Sequence, residues 1–434
     1  MYYEEVVQKL YKLSDVGRRV TLVGIKKLLS ILDNPHDNIK FLHVAGTNGK
    51  GSVCAMLSTS LNHMGYKVGL YTSPHLISLR ERIRINGEAI SEFDLTNIFM
   101  ELWPIVKKLY AQKYRITFYE LLTVIAIFYF YKKKCDFVIL ETGLGGRLDA
   151  TNVVTPEASI ITNIAFDHQH ILGDTLKEIS FEKSGIIKRN KPVFIGIVKD
   201  DIFKIISQIA LAHESPIYKV ERKGLLFEVD NEKFVISIQI NIDDELKKFS
   251  IPICCCVNDD NIYLVFKVLK FLSKKHNFDF ATSLNNLSNT KWPGRLQKMQ
   301  DGRIIDGAHN IDGLISLVKI IERLYPNKKF DIIYGCIMDK NHIEQISIIQ
   351  KITKRFMFIP VLRNNFIPCD DETIISLQKS LKKIDVLNMI PNKVYKCCKI
   401  AVSESDPNNT IITGSLYLVG DVLEKYYQKS FFEI

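Results

Sequence analysis

The chain has 434 residues, 47% of them hydrophobic and 24% charged, a balance that excludes a disordered polymer and asks for two or three packed domains. Its formal charge of +10 comes from scattered lysines with only short runs such as Lys132–Lys134. No basic stripe is interleaved with aromatics, so this charge points to anionic small molecules and away from nucleic acid. Nine cysteines, an odd number without CxxC spacing, exclude a secreted disulfide framework. Cys254–Cys256 and Cys397–Cys398 have no histidine-rich partner beside them, so buried thiols in strands are expected there, not zinc.

The N-terminal segment MYYEEVVQKL carries acids and no long apolar core, so no signal peptide is expected. The first strong element is the apolar run Lys40–Val44, which reads as a strand. After it come Val44-Ala45-Gly46-Thr47-Asn48-Gly49-Lys50-Gly51-Ser52, then Val53, Met56, Leu57, Leu61 and Met64 at helical spacing up to Gly65. A glycine-rich turn between strand and helix lets backbone N–H groups approach an anion. The helix N-terminus adds partial positive charge and Lys50 a full one. This is a phosphate cradle. It departs from the general P-loop pattern at Val44, where glycine is usual, and at Gly51, where serine or threonine follows the lysine.

Further strands are predicted at Val68–Tyr71, Phe137–Leu140, Ser159–Ile164 and Pro192–Ile197, and a buried helix at Leu121–Tyr131, which is too short to span a bilayer. In open parallel sheets ligands gather beyond the carboxyl ends of the strands. The polar groups expected there are Lys50 and Ser52, then Thr72, Ser73 and His75, then Glu141, and then Asp167 and His168. Gly143-Leu144-Gly145-Gly146-Arg147 follows Glu141 directly and offers a flexible loop with a cation for phosphate or carboxylate. An acid at a strand end and a serine hydroxyl, Glu141 and Ser73, suit the oxygen-loving Mg²⁺ of a triphosphate site. Lys183, read alone, is a surface lysine on a helix.

Leu226–Val229 and Phe234–Ile238 read as a β-hairpin, and the polar stretch from Ser283 to Pro293 as the domain boundary. Alternation then restarts at Arg303–Ile305, followed by a helix to about Leu324. Next come a strand at Phe330–Tyr334, a second helix, strands at Phe356–Val361 and Thr410–Thr413, and a last helix. The expected fold is α/β in two domains: an N-terminal P-loop ATPase-type domain with a parallel sheet (1–290) and a C-terminal Rossmann-like domain (298–434), joined by a linker at 291–297.

Ordered motifs then accumulate: Asn34-Pro35, the cradle itself, Thr72-Ser73-Pro74-His75-Leu76, Glu81-Arg82-Ile83-Arg84 and Thr117-Phe118-Tyr119-Glu120-Leu121. Glu141 to Asn152, Asp167-His168, Leu172-Gly173-Asp174-Thr175, Glu182-Lys183, Trp292-Pro293-Gly294-Arg295, Asp306-Gly307-Ala308-His309-Asn310 and Gly414-Ser415-Leu416-Tyr417 follow. In these the chain resembles the folylpolyglutamate synthases and dihydrofolate synthases, a branch of the ATP-dependent amide ligases that includes the Mur enzymes.

The resemblance implies that Gly46, Thr47, Asn48, Gly49, Lys50, Gly51 and Ser52 hold the ATP phosphates, with Asn261, Arg295, Asp306 and His309 clamping the nucleotide. It implies two Mg²⁺ ions, with Ser73 and Glu141 serving the first and Glu141 and His168 the second, and a carbamylated Lys183 beside them. Arg82, Thr117, Phe118 and Ala150 would surround the pterin, and Ser415 the incoming glutamate. Lys50, Lys183 and His168 form the expected catalytic group. The substrates would be ATP, dihydropteroate or folate, and L-glutamate, handled by a cytoplasmic monomer without nucleic-acid or membrane partners.

One departure stands out: Val257 and Asn258 replace the family's His and Gln ahead of Asn261, which predicts altered ATP affinity. A Mur-type ligase on a nucleotide-linked peptide is disfavoured by the Gly51-Ser52 and TSPHL segments. A P-loop switch is disfavoured by the lack of an Asn-Lys-x-Asp loop. A non-catalytic homologue has only the 255–261 departure behind it.

Overall fold

The computed structural model describes residues 1–13, 21–242, 244–255, 259–337, 343–361 and 390–428. Two mixed α/β domains are built on two separate, largely parallel sheets, and the second sheet has a Rossmann-like alternation.

The first sheet contains β1 (Lys40–Ala45), β2 (Val68–Tyr71), β3 (Ile83–Ile85), β4 (Glu88–Ala89), β5 (Phe137–Glu141), β6 (Ala158–Ile161), β7 (Val193–Ile195) and β8 (Ile217–Lys219). Their spatial order is β4-β3-β2-β5-β1-β6-β7-β8. All pairs from β2 to β8 are parallel, and only β3 and β4 run antiparallel at the edge. Parallel strands covered on both faces need apolar residues throughout. In β5, Phe137, Val138, Ile139 and Leu140 are accordingly all fully buried, each stabilising the fold by about 1.5–3 kcal/mol.

The helix Phe118–Lys132 shows the same logic in helical form. It is apolar all round and buried from Glu120 to Phe130, so it has no water-facing stripe to reveal itself by periodicity. Its start is secured by a capping box, with Thr117 accepting from Glu120 N and the Glu120 carboxylate accepting from Thr117 N.

The predicted hairpin is one strand short of the truth. β9 (Leu225–Asp230), β10 (Val235–Ile242) and β11 (Glu245–Pro252) form a three-stranded antiparallel sheet. The third strand was hidden because Glu245, Lys247 and Lys248 put charges on both of its faces and leave only Phe249 and Ile251 buried, too few for an apolar alternation. Among the described residues, the clustered cysteines are also not strand residues. Cys254 and Cys255 lie in the 3₁₀ turn Ile253–Cys255, and Cys397 precedes the helix Cys398–Ser403; Cys256 lies outside the described residues.

The boundary stretch holds a helix, Phe280–Asn285, and a 3₁₀ turn, Asn286–Asn289. The C-terminal sheet follows, with β12 (Gln297–Lys298), β13 (Ile304–Ile305), β14 (Phe330–Ile337), β15 (Thr353–Val361), β16 (Asn392–Val394) and β17 (Thr410–Thr413) in the order β12-β13-β17-β14-β15-β16. Among the described residues no helix is long and apolar enough to cross a membrane.

Candidate active site

β2, β5, β1 and β6 are neighbours in the first sheet, so their carboxyl ends open onto one edge. β1 delivers the glycine-rich loop and the helix Lys50–His63. Gly49 stands at the N-cap of that helix with φ +79°, and no side chain caps its first amides. A Cβ on Gly49 would lie 2.3 Å from the Asn261 amide, and one on Gly51 would lie 2.7 Å from the Trp292 ring. The Trp292 ring thus occupies the space that a side chain at position 51, where serine or threonine is usual, would need.

Lys50 folds back over the loop, its Nζ donating to Gly46 O and Thr47 O at 3.1 Å each. Asn163 fixes the loop from β6: its Oδ1 accepts from Asn48 N at 2.8 Å and Thr47 N at 3.2 Å, while Thr162 Oγ1 donates to Asn48 O at 2.7 Å.

Glu141, at the end of β5, is almost fully buried and accepts from Ser73 N at 3.1 Å. Burial pushes its carboxyl pKa up against the opposing pull of Lys50. A buried carboxylate beside a serine hydroxyl, facing an open cleft, suits a hard divalent cation that keeps several waters. The Ser73 loop is itself held by Glu81, whose carboxylate accepts from Leu76, Ile77 and Ser78 N at 2.6–2.7 Å.

Lys183 is not the surface lysine its helix position suggested. It is 4% exposed, and its Nζ donates to Gly46 O at 2.8 Å. Burial first, then Lys50, brings its pKa down to about 7. The helix Leu176–Ser184 is turned inward by the 143–146 loop: a Cβ on Gly146 would meet the Glu182 and Lys183 carbonyls at 2.8 and 2.7 Å.

Arg147, expected to offer its cation to a substrate, instead binds Glu182 Oε1 at 2.8 Å through Nη2 and does not line the cleft. Asp167 and His168 lie beyond β6, which ends at Ile161 and not at Ile164 as its apolar run suggested. His168 stands at the N-cap position of the short helix Gln169–Leu172 with φ +51°, and its side chain makes no capping hydrogen bond.

The second domain closes the cleft. Asp306 follows β13, buried, accepting from Leu296 N at 2.9 Å and Ala308 N at 2.8 Å, with burial raising its pKa and Arg295 opposing that shift. Asn310 reaches across to the cradle, its Nδ2 donating to Asn48 Oδ1 at 2.9 Å and to Asp167 Oδ2 at 3.1 Å.

The resulting cavity, about 180 Å³, brings together Thr47 to Ser52, Ser73, Glu141, His168, Lys183, Asn261, Arg295, Asp306 and His309. Gly46 lies just beneath it through its carbonyl. Sequence reasoning assigned no role to Asn163, Trp292 or Asn310. Trp292 and Asn310 stood in quoted motifs, whereas Asn163 carried only the weak signal of a polar residue inside the predicted strand 159–164.

The expected pterin residues form a neighbouring group outside that lining. Phe118 stacks on Tyr11 at 5.3 Å and lies 5.7 Å beneath the Arg82 guanidinium. Arg82 Nε donates to His75 Nδ1 at 2.9 Å, and burial with this cation pushes His75 down to about 3. Thr117 caps the helix behind, and Ala150 opens the 3₁₀ turn Ala150–Val153. Ser415 is fully buried, its hydroxyl accepting from Tyr417 N at the start of the helix Leu416–Lys425. Val257 and Asn258 lie outside the described residues.

Residues 44–269 match the family model for the Mur ligase middle domain. The chain is 32% identical over 426 residues to the dihydrofolate synthase/folylpolyglutamate synthase of Bacillus subtilis, covering 94% of this chain and 95% of that protein. The crystal structure of folylpolyglutamate synthase (FPGS) from Thermotoga maritima superposes with a TM-score of 0.81 at 31% identity, covering 97% of this chain and 96% of that one. An FPGS–AMPPCP–folate complex superposes with a TM-score of 0.80 at 28% identity, over 99% of this chain and 100% of that one.

Proposed function

This chain belongs to the dihydrofolate synthase/folylpolyglutamate synthase family of Mur-type ligases, and on that premise we propose that it is an ATP-dependent ligase joining L-glutamate to dihydropteroate, to a folyl-polyglutamate, or to both. The observation that carries the reading is the convergence of the uncapped cradle, the buried Glu141 and the Arg295–Asp306 pair on one inter-domain cleft.

A carboxylate is a poor acylating agent, so its oxygen first attacks the γ-phosphorus of ATP and ADP leaves. The glutamate amine then attacks the acyl carbon, phosphate departs, and the nitrogen gives up a proton. The first-turn amides and Lys50 hold the phosphates and offset charge on the transferred group. Asn261, Arg295, Asp306 and His309 orient the nucleotide.

Ser73 and Glu141 would hold one Mg²⁺, and Glu141 with His168 a second; when bound, the metal supplies Lewis-acid charge to the phosphoryl oxygens. Lys183 is read as carbamylated. Its amine is buried at the cleft floor with its pKa brought down to about 7, so near neutral pH a large share is uncharged and can add CO₂, releasing a proton and turning a cation into an oxygen donor. Arg82, Thr117, Phe118 and Ala150 are assigned to the pterin and Ser415 to the glutamate side. The enzyme is read as a monomer, divided at 291–297, whose domain closure excludes water from the acyl phosphate.

The test is ATP- and Mg²⁺-dependent incorporation of labelled glutamate into dihydropteroate, with tetrahydrofolate monoglutamate run alongside. Incorporation into either acceptor supports the ligase, and into both makes it bifunctional. ATP turnover without incorporation into either overturns it.

A further inference from the structure

A second cavity, about 740 Å³, lies further along the cradle helix, past its first turn, and shares no lining residue with the nucleotide cleft. Its volume is in the range of small-molecule sites. One wall is a helix face of small and polar residues, Ala55, Ser58, Thr59 and Asn62, at the 3–4 spacing where a packed helix would carry large apolar side chains.

Arg80, Arg84 and Lys291 bring three positive charges to this lining; Glu88 lines it as well, and Glu92 beside it pairs with Arg80 at 2.9 Å, which leaves Arg84 and Lys291 the charges outside that pair. Both arginines are held in place. Arg80 donates through Nε to Ile90 O at 2.8 Å and through Nη1 to Glu92 at 2.9 Å. Arg84 donates to Glu81 O at 3.0 Å and stacks 5.7 Å from the Trp292 ring centroid. Guanidiniums fixed in this way match the planar, bidentate geometry of carboxylate and phosphate and lose little further freedom on binding.

We propose that this cavity is a second binding site for a multiply charged oxyanion, either a chain of carboxylates such as an oligo-γ-glutamate or a chain of phosphates. Occupancy bears on the nucleotide cleft through Trp292. This ring borders the cavity, carries Arg84 on it, and presses on Gly51 of the cradle. An anion that draws Arg84 shifts the ring that fills the space beside the P-loop. The proposal does not rest on ligase activity, and its test needs no turnover.

The chain has two tryptophans, so Trp103→Phe leaves Trp292 as the sole indole reporter. Binding of Mg²⁺ and the non-hydrolysable ATP analogue AMPPCP is measured first, by itself, so that a failed nucleotide site is recognised separately. With the analogue saturating, the full chain is titrated with tri-γ-glutamate and, in parallel, with inorganic tripolyphosphate.

The expected result is a saturable change in Trp292 emission with at least one of them, weakened tenfold or more by Arg84→Gln and by the exposed-site variant Lys291→Glu. A response to tri-γ-glutamate alone identifies the carboxylate source, and one to tripolyphosphate alone the phosphate source. No saturable change with either probe overturns the proposal. So does a change that Lys291→Glu leaves untouched, even if Arg84→Gln fails to fold.

Discussion

Two strand–turn–helix units face each other across the nucleotide cleft, and they solve the same local problem in opposite ways. In the first, β1 runs into Gly46–Gly49 and the helix Lys50–His63; in the second, β13 runs into Asp306–Asn310 and the helix Ile311–Leu324. Every helix begins with amides that lack an internal partner. The second unit satisfies one of its own: Asn310 caps the helix by accepting from Gly313 N at 2.9 Å, while Asp306 holds the turn ahead of it by accepting from Ala308 N. The first unit has glycine at the cap and no side-chain acceptor. An N-terminus left uncapped beside a lysine is an anion site, while one that is capped is a structural joint. The same supersecondary unit thus becomes cradle or clamp according to one residue at the cap.

This contrast can be broken most severely at the cradle. Lys50→Ala and Glu141→Ala are each expected to abolish glutamate incorporation, a fall on the order of 10³-fold, while circular dichroism and Tm stay near wild type. Substantial residual turnover in either would remove that residue from the phosphate or metal assignment.

Lys183→Ala comes next, and its signature is pH and bicarbonate. The folded amine titrates near 7 and the exposed one at 10.5. Between those values the unfolded chain binds one more proton at this site, so stability rises with pH across the window. Carbamate formation needs the neutral amine, so wild-type activity should fall as pH drops below about 7 and recover with bicarbonate, whereas Lys183→Ala should show no bicarbonate response. Intact mass at high bicarbonate without an added CO₂, together with full activity of Lys183→Ala, would end the carbamate reading.

Gly51→Ala drives a Cβ to 2.7 Å from Trp292. Overpacking of this kind costs about 1–3 kcal/mol of stability, which thermal melts should show as a lower Tm, and displacement of the loop should weaken ATP-analogue binding in calorimetry.

At the clamp the currency changes from activity to stability. Asn310→Ala removes a helix cap, and thermal melts should show a loss of about 1 kcal/mol, with kcat falling far less than in Lys50→Ala. A collapse of kcat without loss of Tm would make the two units functional equals. The smallest effect is expected from Val257→His/Asn258→Gln, a few-fold change in ATP affinity (about 1 kcal/mol); unchanged affinity would make the 257–258 departure neutral.

Much of the cleft was legible from residue order alone. Local signals marked the cradle, because a glycine-rich turn between an apolar strand and a helix is written in consecutive residues. Glu141 was readable because it ends the uninterrupted apolar run 137–140. Lys183, read from its helix position alone, and Arg147 were misjudged for one shared reason. Which face of the helix Leu176–Ser184 turns inward is set by the close packing of Gly146 and Gly185 against their neighbours, 36 or more residues apart in the first case and 38 in the second. Arg147 pairs outward with Glu182 while Lys183, the next residue on that helix, points in. The strand Glu245–Pro252 escaped because only β10 makes it a strand.

The sequence by itself determined the α/β class, the phosphate cradle and the family, since these rest on spacing within short segments and on the order of motifs along the chain. Tertiary structure alone decided that Trp292 fills the space beside Gly51, that Asn310 bridges the domains to Asn48, that Lys183 is buried and loses its proton readily, and that a second cationic cavity lies further along the cradle helix. Each of these depends on groups brought together from distant parts of the chain, where burial and charge, and not local spacing, set what a side chain can do.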